Sequence, residues 1–119
     1  MRVSKHFLRS EFKCPCCDFS TVDAVLLEAL EKTRSHFGNP IKITSGNRCP
    51  AHNIQVGGAE KSQHVYGMAV DFTIKNVSDD NVASYLEEEY PNWFGIGRYT
   101  GRTHLDVRDT PARWDRRGL

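Results

Sequence analysis

The stretch Met68-Ala69-Val70-Asp71-Phe72-Thr73-Ile74 constrains the fold more than any other part of the chain. Met68, Val70, Phe72 and Ile74 alternate with Ala69, Asp71 and Thr73, and a period of two places the first set on one face of a strand and the second on the other. Such a strand needs neighbours to complete its hydrogen bonds and a second layer to cover its apolar face. Residues 95–99 and 103–107 flank Thr100-Gly101-Arg102, the spacing of a hairpin eased by glycine. Ile41-Lys42-Ile43-Thr44 alternates as a further short strand and runs into the turn-forming Ser45-Gly46-Asn47-Arg48-Cys49-Pro50.

The covering layer is helical. Over 20–37, Ser20 or Thr21 can cap, Asp23 suits the positive first turn, and Val22, Leu26, Leu30 and Phe37 form an apolar stripe that Gly38 and Pro40 end. A second helix starts at Ser78-Asp79-Asp80 and runs to about Tyr90 before Pro91, with Val82, Tyr85 and Leu86 inward and Glu87-Glu88-Glu89 solvated. Residues 51–56 suit a short helix, and 113–119 read as an exposed basic tail. The expectation is a single α+β domain over 1–119 with its core at about 7–114, an antiparallel sheet flanked by two main helices.

Composition removes competing classes. Hydrophobic residues make up 39% and charged ones 26%, ordinary globular usage. Sixteen basic against fifteen acidic residues leave a net charge of +1, too balanced for the phosphate-dominated attraction of nucleic-acid binding. No apolar run approaches the roughly 20 residues that insert across a bilayer. The opening Met1-Arg2-Val3-Ser4-Lys5-His6 lacks the apolar stretch of a signal peptide, so synthesis in the cytoplasm is expected, and a monomer with it.

The chemistry lies on the polar faces of these strands. Period two puts His104, Asp106 and Arg108 together, on the same kind of face that Asp71 occupies on its own strand. His64 sits in a loop, Gly67 lets that loop turn, and small Ala69 leaves room near Asp71. Two imidazoles and a carboxylate suit zinc, and three protein ligands leave a fourth position for water, the pattern of a catalytic rather than a structural site. Taken singly, His64 reads as a surface loop histidine, Asp71 as a cap and His104 as decoration of an exposed strand; their combination carries the argument.

That combination, Ser62-Gln63-His64-Val65-Tyr66-Gly67-Met68-Ala69-Val70-Asp71 followed by His104-Leu105-Asp106, resembles the zinc D-alanyl-D-alanine carboxypeptidase and dipeptidase family, whose pattern is Ser-x-His-x-x-Gly-x-Ala-x-Asp with a later histidine. Ile43 to Pro50, His52-Asn53, Val56-Gly57-Gly58-Ala59 and Gly95-Ile96-Gly97-Arg98-Tyr99 extend the likeness over about 7–114. It is closest to the small phage and prophage branch, and more distantly similar to lysostaphin-type peptidases and the hedgehog domain. The resemblance implies a zinc-bearing antiparallel sheet, one zinc ion held by His64, Asp71 and His104, substrate binding by Arg48 with Ser62 as a neighbouring polar support, and polarisation of the scissile carbonyl by Arg48. It also implies a peptidoglycan peptide as substrate and delivery to the cell wall by a phage-type route.

The pattern departs from the family at the general base. The carboxypeptidases carry an acid three residues before the last zinc histidine, where this chain has Gly101. Lysostaphin-type relatives carry a histidine two residues before it, where this chain has Arg102, which stays protonated. Asp106 is the best substitute, two residues after His104 on the same face; it can take a proton or orient the histidine. His52 is a weaker candidate.

Three of the four cysteines, Cys14, Cys16 and Cys17, are crowded together and Cys49 stands alone. Structural zinc sites usually pair Cys-x-x-Cys units, so a four-cysteine site is not expected. A disulfide from the N-terminal segment to Cys49 suits a protein acting outside the cytosol, and buried thiols are the alternative.

Three functions follow in order: a zinc metallopeptidase hydrolysing cell-wall peptide bonds that involve D-amino acids; a zinc-bearing, inactive cell-wall or protein-binding module, motivated by Gly101 and Arg102; and a cysteine-dependent enzyme using Cys49 with His52, for which no orienting acid is evident.

Overall fold

The computed structural model describes residues 2–17, 20–58 and 62–118. Five strands, β1 (Ile41–Ser45), β2 (Ala69–Ile74), β3 (Gly95–Tyr99), β4 (Arg102–Asp106) and β5 (Ala112–Asp115), form one sheet in the order β1-β2-β4-β3-β5. Three helices, α1 (Ala24–Phe37), α2 (Pro50–Gln55) and α3 (Asp79–Glu89), and 3₁₀ turns at Arg9–Phe12 and Gln63–Tyr66 complete it. The fold is α+β. No helix among the described residues is long and apolar enough to cross a membrane.

The alternation in β2 decides the layers. Val70, Phe72 and Ile74 join Leu105 of β4 and Ile96 of β3 in one core with Leu26, Ala29 and Leu30 of α1 and Val82, Ala83 and Leu86 of α3. The two helices meet where His36 stacks on Tyr85, ring centroids 4.1 Å apart. Glu87 leaves the expected solvated run: its carboxylate accepts from Arg98 of β3 at 2.9 Å, fastening helix to sheet. The opposite face of the sheet carries the polar residues.

The first helix starts later than the sequence pattern suggests. Asp23 is the cap, its carboxylate accepting from the backbone N–H groups of Val25 and Leu26, so α1 begins at Ala24. Thr21 is engaged elsewhere, its N–H donating to the Asn47 side chain, and Val22 packs on the core from outside the helix.

The expected exposed basic tail holds for 116–118, but its first three residues, Arg113 to Asp115, belong to a strand. β5 runs parallel to β3, pairing Gly97 with Trp114, so the sheet is mixed rather than purely antiparallel. Charge concealed this strand, because Arg113 does not face water freely: its guanidinium donates to the carbonyls of Phe94 at 2.6 Å and Tyr90 at 2.7 Å. Leu119, the last residue of that expected tail, lies outside the described residues, as does Ala59.

Candidate metal centre

Strand register assembles the site. Asp71 of β2 pairs with His104 of β4, and His104 pairs with Gly97 of β3, which pairs with Trp114 of β5. One row across four strands therefore reads Asp71, His104, Gly97, Trp114 on the polar face. The missing side chain at Gly97 is what lets Trp114 lean over the sheet: a Cβ there would stand 2.5 Å from the indole. The Trp114 ring reaches His104 at 5.1 Å between centroids, and its Nε1 donates to the Tyr99 hydroxyl at 2.8 Å.

His64 arrives from the 3₁₀ turn Gln63–Tyr66, which Ser62 caps by accepting from the His64 N–H at 3.2 Å and Gly67 ends at φ 69°. His64 is 3% exposed, and its Nδ1 lies 2.8 Å from the carbonyl oxygen of Gly46. A carbonyl only accepts, so Nδ1 donates to it and Nε2 is the ring nitrogen left to face the site. Nε2 faces Asp71 Oδ1 at 3.6 Å. Asp71 Oδ1 also lies 2.9 Å from His104 Nδ1.

An imidazole nitrogen and a carboxylate oxygen this close are joined by a cation, either a proton or a metal ion. Tetrahedral zinc with N and O donors at about 2.0–2.1 Å spaces those donors about 3.3 Å apart. The separations of 2.9 and 3.6 Å bracket that value, and one ligand atom from each of His64, Asp71 and His104 lies within 4.8 Å of the others. All three side chains are buried, so the donor set fits zinc in geometry, chemistry and shielding from water.

The electrostatics follow from the same contacts. Burial alone would raise the pKa of Asp71, but hydrogen bonds and charge from His104 and His64 outweigh it and hold the carboxyl far below its ordinary range. Desolvation would lower the His104 pKa, yet Asp106 and Asp71, one on each ring nitrogen, raise it. Carboxylate oxygens facing both nitrogens favour the protonated ring in the metal-free protein, and a metal at Nδ1 would compete with a proton there.

Asp106 is completely buried and fully engaged. Oδ1 accepts from the Gly95 N–H at 3.1 Å and from Arg108 Nε at 2.7 Å; Oδ2 accepts from Arg108 Nη2 at 2.7 Å and from His104 Nε2 at 2.8 Å. Burial would raise its pKa, but His104 and then Arg108 drive it well below the usual carboxylate range. This is the geometry of a carboxylate that orients a ligand histidine.

The three donors lie in the wall of a cleft of roughly 760 Å³. Its rim is cationic: Arg48, Arg102, Arg108 and Arg116 all line it. Arg48 Nη2 lies 3.8 Å from Asp71 Oδ2 and its Nη1 donates to Asn53 Oδ1 at 3.3 Å, while Arg102 Nε stands 3.6 Å from Asp71 Oδ2 and its guanidinium covers the Tyr99 ring at 4.1 Å. Ser62 lines the same cleft, whereas Gly101 forms the exposed tip of the β3–β4 turn at φ 85°. His52 is not among the cleft residues; its backbone N–H donates to Cys49 Sγ at 3.4 Å.

Sequence reasoning missed Trp114, Arg116, Tyr99 and Asn53 at this site. The signal for the first two was a tryptophan between arginines in a segment too short and too charged to read as a strand. The four cysteines also converge: one sulfur from each of Cys14, Cys16, Cys17 and Cys49 lies within 4.8 Å of the others, and no disulfide joins them.

Comparison with curated proteins finds no match. The family model of peptidase M15 matches residues 5–106, a span that takes in His64, Asp71, His104 and Asp106 and stops before β5. With this match covering most of the chain, and with the donors gathered as a zinc peptidase requires, the chain belongs to the peptidase M15 family of zinc D-alanyl-D-alanine carboxypeptidase type.

Proposed function

We propose that this protein hydrolyses peptide bonds of bacterial cell-wall peptidoglycan, at stems or crosslinks containing D-amino acids, with one zinc ion held by His64 Nε2, Asp71 Oδ1 and His104 Nδ1. The observation that carries the reading is the convergence of these three buried donors in a cleft rimmed by four arginines. When bound, zinc supplies the Lewis acidity that activates water and the scissile carbonyl. The residues supply the rest. His64 is held in one tautomer by the Gly46 carbonyl, and His104 is oriented by Asp106. Arg48, braced by Asn53, offers a fixed guanidinium to the developing oxyanion or to a substrate carboxylate. Arg102 and Arg116 extend positive charge along the cleft, which suits the carboxylates of an anionic peptide stem.

A second reading rests on one specific observation. Asp71 and Asp106 are the acidic residues among the described ones lining the cleft, and both are committed to His104. A protein of this construction without a proton acceptor is a zinc-bearing module that binds cell-wall peptide. The test is zinc-loaded protein incubated with purified peptidoglycan, monitored for new amino groups. Release that is abolished by a chelator and restored by zinc supports hydrolysis; retention on the wall without release supports the binding module.

A further inference from the structure

We propose that Cys14, Cys16, Cys17 and Cys49 hold a second zinc ion as a tetrathiolate, tying the N-terminal segment to the loop that carries Arg48. Spacing supplies the first argument. Cys14 and Cys17 are themselves a Cys-x-x-Cys pair, Cys16 adds a third sulfur within it, and Cys49 arrives from the far end of the β1–α2 connection. Four sulfurs at about 2.3 Å from one zinc ion stand about 3.8 Å apart. Here Cys14 and Cys16 are 3.5 Å apart, Cys16 and Cys49 are 3.0 Å apart, and all four sulfurs fall within 4.8 Å of one another. A single disulfide needs two of these side chains to meet and gives the other two no reason to point at the same place. A tetrathiolate explains all four.

Backbone geometry supplies the second argument. The Cys49 N–H donates to Cys14 Sγ at 3.4 Å and the His52 N–H donates to Cys49 Sγ at 3.4 Å. Amide donors aimed at sulfur stabilise thiolates and orient them as metal ligands. The Cys17 N–H donates to the Cys14 carbonyl at 3.3 Å, closing the turn that aims three side chains to one side. Binding converts four thiols and Zn²⁺ into a zinc tetrathiolate of charge −2, with four protons passing to solvent, so the site fills more readily as pH rises.

Position gives the site its role. Arg48 immediately precedes Cys49, its N–H donates to the His64 carbonyl at 3.1 Å, and its guanidinium faces Asp71. The neighbouring Asn47 N–H donates to the Phe12 carbonyl at 2.9 Å, two residues before Cys14. A metal joining Cys49 to the 14–17 turn therefore clamps the loop that sets both Arg48 and His64. The second ion is structural, since four protein ligands leave no open position.

The experiment counts metal independently of turnover. Protein purified under reducing conditions without added metal is assayed for zinc per chain in three forms: wild type, His64→Ala/His104→Ala, and Cys16→Ser/Cys17→Ser, the last placed on the two exposed ligands so that packing is least disturbed. The expected counts are two, one and one. Cobalt(II) replacing zinc in the doubly histidine-substituted protein should give sulfur-to-cobalt charge-transfer absorption, which nitrogen and oxygen ligands do not produce. Absence of bound metal and of that absorption in this variant overturns the proposal, whatever the cysteine variants do. Finding only two titratable thiols in the unreduced, denatured wild type also overturns it, because a disulfide then occupies the cluster.

Discussion

Replacing Asp106 by asparagine keeps the volume and removes the charge, and the five donors around that carboxylate determine the effect. Gly95 N–H, Arg108 Nε and, at 3.4 Å, the Arg108 N–H converge on Oδ1; His104 Nε2 and Arg108 Nη2 converge on Oδ2. An amide has one accepting end, so whichever way it is turned its NH₂ group meets at least two donors. Each unsatisfied buried donor costs about 1–3 kcal/mol, and Arg108, whose side chain is 36% exposed, recovers part of its share from water. The sum is about 2–4 kcal/mol of stability, which at roughly 4 °C per kcal/mol lowers Tm by about 8–16 °C. Loss of the partner that orients His104 should weaken zinc binding about 10–100-fold. Competition with a chromophoric chelator measures that affinity, and thermal melts with and without zinc measure the stability. At saturating zinc the turnover of Asp106→Asn should fall no more than about tenfold, because the ligand set is intact. Unchanged zinc affinity with a fall in kcat of about 10²–10⁴ would refute the reasoning and make Asp106 the proton carrier.

Gly97→Ala puts a Cβ 2.5 Å from the Trp114 ring and should cost about 1–3 kcal/mol as the indole moves off His104, seen as lower Tm and altered tryptophan fluorescence. Zinc affinity should rise with pH, because the metal competes with protons on His104, whose pKa is raised; calorimetric titrations at several pH values check the slope. The same shift makes the metal-free protein gain stability from His104 below that group's ordinary pKa and lose the contribution as pH rises through the raised value. Glu31 is the opposite case: burial would raise its pKa, but hydrogen bonds from Ser4 and His6 lower it, so its contribution is present above the ordinary glutamate pKa of 4.5 and is lost as pH falls through the lowered one. Glu31→Gln should flatten the acid limb of a stability–pH curve.

What the chain states openly is its local chemistry. The alternation around Asp71, the Ser78 cap, the Pro91 stop and the glycine turn at 100–101 are short-range signals, and each corresponds to an element of the structure. His64, Asp71 and His104 were legible as a set because loop position and strand parity make each available to a metal and their combination resembles the zinc D-alanyl-D-alanine carboxypeptidase pattern, and the three meet. The register that aligns Asp71 with His104 belongs to strand pairing between segments some thirty residues apart, which local pattern does not encode. The fifth strand escaped notice for a related reason. It is short, its arginines resemble a solvated tail, and only the space above Gly97 and the carbonyls of Tyr90 and Phe94 turn it into a docked edge. Trp114 and Arg116 were lost with it. The gathering of four sulfurs escaped because the distance between Cys17 and Cys49 along the chain gives no hint that the 14–17 turn and the β1–α2 loop meet.

Crystals of the zinc-loaded protein, measured on both sides of the zinc absorption edge, test the central claim most directly. An anomalous peak about 2.0–2.2 Å from His64 Nε2, Asp71 Oδ1 and His104 Nδ1, with its fourth position filled by solvent, is the predicted result. No peak between those three atoms, or one closed by a fourth protein side chain, would contradict it.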